Sequence, residues 1–133
     1  MRRVVVTGLG AVTPLASGAQ ITWQKLLNSQ SGIKGIDTFD VSDIPAKIAG
    51  LVPRGEGEGL FNAEDHVSIK DMKKMDDFIV YGIAAADQAL ADSGWKPETD
   101  EDQEATGVLI GSGIGGLPKI ADASDLVNNG NTI

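Results

Sequence analysis

Two short apolar runs, one near each end of the chain, constrain the fold most. Residues 3–7 read RVVVT and run into Gly8 and Gly10. Residues 106–110 read TGVLI and run into GSGIGG at Gly111 to Gly116. Short β-branched runs bounded by glycine predict buried strands that end in tight turns. Between them, residues 76–93 carry a helical pattern with a middle of alanine and glycine, Asp76 as N-cap and Gly94 as stop. Small side chains there let another backbone approach closely, so this helix is expected to be buried on several sides. A shorter helix is expected up to Leu27, capped by Ser17 or Thr22, with Trp23, Leu26 and Leu27 facing inward. Residues 31–43 read as loop and 46–52 as a possible strand. Residues 53–59 read as an exposed loop, 97–104 as a loop or surface turn, and 117–127 as a helix. The order is α/β. Two firm strands fall short of the three or more that a self-sufficient sheet needs. The expectation is a single partial domain over 1–133, with an incomplete sheet packed with helices.

Composition excludes several chemistries. The 133 residues contain no cysteine and one histidine, His66. Disulfide frameworks, thiol catalysis and cysteine- or histidine-rich metal sites are therefore closed to this chain. A formal charge of −8 speaks against nucleic acid as a partner. No apolar run is long enough to span a membrane, and the start of the chain lacks a signal-peptide core. A cytoplasmic protein is the expectation.

The glycine motifs have two readings. Gly111, Gly113 and Gly116 satisfy G-x-G-x-x-G between a strand and a helix, the setting of a dinucleotide site. The acidic residue that should follow to hold a ribose is missing near Asn131. The other reading makes both glycine motifs turns that need positive φ or close backbone contact.

Lys70, Lys73 and Lys74 form the one local cluster of positive charge, at spacings that share a face on a helical turn. They are either a solvated face, balanced by Asp71, Asp76 and Asp77, or a surface for an acidic partner. His66 sits beside two acids and reads as a surface or helix-end histidine. The adjacent acidic pairs Glu64/Asp65, Asp76/Asp77 and Glu101/Asp102 do not point at a common substrate, so they get no acid–base role. No serine lies in a nucleophile elbow.

Four segments, in order, carry a family resemblance: RRVVVTGLGAVTPLASG, SGIKGIDTFDVSDIPAKIAGLV, SIKDMKKMDDFIVYGIAAADQALADSGW and TGVLIGSGIGGL. From Arg2 to about Ile120 the chain resembles the N-terminal part of β-ketoacyl-[acyl carrier protein] synthase, and GSGIGG resembles the type II enzyme. The resemblance implies a thiolase-like fold and decarboxylative condensation of malonyl-carrier protein with an acyl chain, in fatty acid biosynthesis. It implies no organic cofactor and no metal, and a homodimer in the full-length parent. Lys70, Lys73 and Lys74 match positions that dock the acyl carrier protein, and Ile114 matches a wall of the acyl pocket near the dimer interface. The family's reactive cysteine, its two histidines and its lysine lie downstream of this chain. No catalytic residue is therefore expected here, and this stretch alone should be inactive. The tail NNGNTI is the least family-like part. The alternatives are a non-catalytic partner subunit related to chain-length factors, a carrier-protein-binding module, and a nucleotide-binding domain.

Overall fold

The computed structural model describes residues 2–130, so the last part of the NNGNTI tail lies outside the described residues. Helix α1 spans Ala19–Leu27. Strands β1 (Ile33–Gly35) and β2 (Ile48–Gly50) pair antiparallel, with Ile33 opposite Gly50 and Gly35 opposite Ile48. A one-turn 3-10 helix at Ala63–Asp65 leads to α2 at Ile69–Met72 and to the long α3 at Asp77–Ser93. Helices α4 (Asp100–Glu104) and α5 (Leu117–Asn128) complete the order. This is an α/β arrangement with a small, incomplete sheet.

Helix α3 follows its sequence closely. Asp76 takes the extended N-cap conformation, although its side chain caps nothing. Gly94 enters the left-handed region at φ 65°, and its N–H closes on Leu90 O, a common helix stop. Val80 and Ala84 are its buried residues. The expected burial on several sides does not hold, because Phe78, Ile79 and Leu90 stay partly open. The small-residue surface does receive a backbone. A Cβ on Gly8 would overlap Ala89 O and one on Gly10 would overlap Ala85 O, so only glycine lets the N-terminal segment lie this close. Leu9 N–H donates to Asp92 Oδ2 at 2.8 Å, and Ala11 N–H donates to Gln88 Oε1 at 2.9 Å. Gln88 Nε2 then donates to Ser17 Oγ at 3.2 Å, which fixes the approach to α1.

The core is small. Phe61, Val67, Val80 and Ala84 form it, with Val12, Val52, Met72 and Met75 packed around. Residues 53–59 are not wholly exposed: Gly59 is buried, Gly59 O accepts from Ser17 N–H, and Arg54 bridges to Phe61.

Three expectations fail for a shared reason. Residues 3–7 and 106–110 form no strand, and Val4 and Leu109 are each 96% exposed. An apolar run becomes a strand when another backbone satisfies its N–H and C=O groups. Among the described residues, the one backbone bond to either run is a turn contact, from Thr106 N–H to Gln103 O, and no strand pairs with them. Trp23, Leu26 and Leu27 on α1 likewise face outward. Helix α1 also starts from Gly18, with no side-chain cap from Ser17 or Thr22. The opposite failure is β1, which forms inside the stretch expected to be loop. Three residues ending in glycine carry too little pattern to announce a strand.

Candidate functional site

The lysine cluster lies on the turn between the 3-10 helix and α3. Ser68 starts α2. Its Oγ accepts from Asp71 N–H at 3.2 Å and donates to the Asp71 carboxylate at 2.7 Å. This is an N-cap that engages both ends of Asp71. Lys70 lies within α2, Lys73 is its C-cap, and Lys74 lies in the turn that follows, with its N–H donating to Asp71 O at 2.9 Å. The three lysines therefore span a helical turn and its exit rather than one continuous helix face. Met72 and Met75 alternate with them and pack inward, which turns the lysines out to solvent.

The neighbouring acids have other partners. Asp71 is taken by Ser68. Asp77 is paired with Arg54 at 2.6 Å. The Asp76 side chain packs against Gly116, where an added Cβ would overlap its Oδ2. Among the described residues, the three lysines make no salt bridge. The lysines are thus left without a direct ion-pair partner, although only Asp77 has its charge offset by a cation. Lys119, on α5, adds a fourth ammonium group, its Nζ reaching Lys73 O at 3.4 Å. A lone lysine far along the chain carried no signal of this approach.

Ile114 sits in the glycine loop before α5 and is 77% exposed. Gly115 turns that loop with φ 88°, while nothing crowds Gly111 or Gly113. The loop and the lysine turn are neighbours through the contacts Gly116–Asp76 and Lys119–Lys73. A cleft of about 490 Å³ opens between them, lined by Met75, Phe78, Tyr81, Gly116, Pro118 and Lys119, with Ile114 outside its lining.

A polar and aromatic cluster behind the turn went unforeseen. Arg54 Nη2 donates to Asp77 Oδ2 and, at 2.7 Å, to Tyr81 Oη. Its guanidinium lies 5.7 Å from the Phe61 ring centroid and 5.6 Å from that of Tyr81, within cation–π reach. Burial works against the charge on Arg54. The Asp77 and Tyr81 contacts outweigh it, so its pKa stands above the ordinary arginine value. Phe61 also meets Tyr81 edge-on and stacks on His66. His66 is the C-cap of the 3-10 helix, as its helix-end reading expected, but it is mostly buried rather than on the surface and bonds to Asp87 at 2.9 Å. No pattern in sequence pairs residues 21 positions apart across a turn. Among the described residues, no three His, Cys, Asp or Glu side chains gather as metal ligands.

Comparison with known proteins identifies the family. The family described as "Beta-ketoacyl synthase, N-terminal domain" matches residues 1–132, which takes in most of the tail that looked least family-like. The 3-oxoacyl-[acyl-carrier-protein] synthase 2 of Rhizobium meliloti (strain 1021) is 56% identical over 124 residues, covering 92% of this chain and 30% of that protein. The enzyme of the same name from Vibrio harveyi is 47% identical over 130 residues, covering 97% of this chain and 30% of that protein. Among solved structures, the ishigamide ketosynthase/chain length factor superposes with a TM-score of 0.70 at 27% identity, covering 98% of this chain and 31% of that one. The chain thus spans about 30% of the length of the curated relatives it matches. With a family match that runs along nearly all of its length, the chain belongs to the β-ketoacyl synthase family, in its N-terminal domain.

Proposed function

We propose that this chain serves as the N-terminal part of a type II 3-oxoacyl-[acyl carrier protein] synthase. The whole enzyme would condense a malonyl unit with an acyl chain, with loss of carbon dioxide, in fatty acid biosynthesis. The names of the relatives at 56% and 47% identity support that activity. In this reading Lys70, Lys73 and Lys74 receive the acyl carrier protein. Ile114 contributes an apolar wall to the acyl pocket, where its volume bears on chain length. The parent works as a homodimer in the cytoplasm. Among the described residues, no helix is long and apolar enough to cross a membrane.

The observation that carries the partner is electrostatic. A chain of net charge −8 repels an acidic protein overall, yet it exposes three lysines whose neighbouring acids Asp71 and Asp77 are engaged elsewhere. A local positive patch of this kind steers and orients an acidic partner. Covalent acyl transfer needs a nucleophile and its activating base, and the chain contains no cysteine. Condensation is therefore absent from the 133-residue chain by itself, and radiolabelled malonyl and acyl carrier proteins should give no product with it.

Titration with acyl carrier protein tests the docking role. Changing Lys70, Lys73 and Lys74 together to alanine should weaken binding by about tenfold or more, and added salt should weaken the parent toward the variant. Equal binding by the parent and the triple variant at low salt overturns the assignment.

A further inference from the structure

The lysine turn is held to the rest of the molecule by few contacts. Val67, Met72 and Met75 face the core. Among the described residues, a single hydrogen bond joins the stretch 62–75 to α3, from His66 Nδ1 to Asp87 Oδ2 at 2.9 Å. The imidazole is 19% exposed and lies almost parallel to the buried Phe61 ring, at 6° and a centroid distance of 6.3 Å. The chain then passes to Val67, whose N–H donates to Ala63 O, and to Ser68, which caps the helix bearing Lys70. The clasp thus sits directly before the element that presents the lysines.

We propose that His66 is a positioning residue for the acidic partner: clasped to Asp87, it fixes the turn that bears Lys70, Lys73 and Lys74, and protonation of its ring tightens that clasp. The inference rests on the lysines being the docking surface. A neutral imidazole can give Asp87 one N–H. An imidazolium makes the same bond charge-assisted and roughly twice as strong. Histidine is the side chain that ordinarily changes charge near neutral pH. The charged and titratable groups around it are Glu64 and Asp65 on its own turn, Asp87 and Tyr81 on α3, and Arg54 across Phe61. The charge of Arg54 is directed to Asp77. A fixed turn offers its ammonium groups in one arrangement, which reduces the ordering cost of binding.

The test uses the 133-residue chain and labelled apo acyl carrier protein, followed by fluorescence anisotropy at constant ionic strength. Parent and His66→Gln are compared at about pH 6 and about pH 8. Glutamine keeps a donor for Asp87 but does not titrate. The parent should bind about threefold more tightly than the variant at the lower pH and equal it at the higher one. Amide exchange at Met72 and Lys74 reads the turn directly. The parent should show greater protection than His66→Gln at the lower pH only. Asp87→Asn provides a second variant of unchanged shape and should flatten the same profile. Superimposable pH profiles for parent and both variants overturn the proposal. Failure of the docking reading looks different: the triple lysine variant binds like the parent, while the exchange experiment still reports whether the clasp responds to pH.

Discussion

The body around Phe61 and the two apolar runs near the chain's ends are built from similar residues and meet opposite fates. Phe61, Val67, Val80 and Ala84 come from a loop, a turn and one helix, and they enclose one another. Val4, Val5 and Val6, and Val108, Leu109 and Ile110, have at least as much strand propensity and stand in solvent. Hydrophobicity is common to both regions. The body differs in having a scaffold that brings partners together, because α3 offers one surface to Val12, Phe61 and Val67 at once. A β-branched run has no such self-sufficiency. Its backbone groups need a neighbouring strand, and its side chains need a helix laid across them.

That contrast can be broken by substitution. Phe61→Ala should cost about 3–5 kcal/mol, while Leu109→Ala and Val4→Ala stay within about 0.5 kcal/mol in this chain. Urea unfolding followed by circular dichroism measures both. Comparable losses at Phe61 and Leu109 would show that the terminal run is packed in solution. Glycines give a second matched pair. Gly10→Ala drives a methyl into Ala85 O and should cost about 1–3 kcal/mol, whereas Gly111→Ala meets open space and should cost less than about 0.5 kcal/mol. Thermal melts of the two variants decide it, and a silent Gly10→Ala would detach the N-terminal segment from α3. A smaller effect than at Phe61 or Gly10 is expected at Arg54→Ala. The ion pair with Asp77 is half-exposed and solvent-screened, so the loss should stay below about 1 kcal/mol despite the short bond. A larger loss in the same melts would place Arg54 within the body's core packing through its two aromatic neighbours.

Legibility in the sequence followed the range of the interactions. Helix α3 and its stop at Gly94 were readable because a helix is closed by residues three and four apart, and α5 was readable for the same reason. The close approach of Gly8 and Gly10 to the alanine stretch was also foreshadowed by residue size alone. The two terminal runs misled because periodicity reports which residues could pair, not whether a pairing strand is at hand. In the site, the lysine spacing was visible, but the release of those lysines from Asp71 and Asp77 was not. It depends on Ser68 as a cap and on Arg54 arriving from 23 residues upstream. His66 and Asp87 lay hidden in the same way, each ordinary by itself.

The contacts that lay the N-terminal segment on α3 also order events in time. Leu9 must find Asp92, and Ala11 must find Gln88, across separations of 83 and 77 residues. Such distant closures are slow and come late. On a ribosome, adding about 5–20 residues each second, the first dozen residues wait on the order of ten seconds before the surface they need has been synthesised. Co-translational assembly of this domain therefore runs from the middle outward, and Leu9 and Ala11, though made before α3, are seated after it.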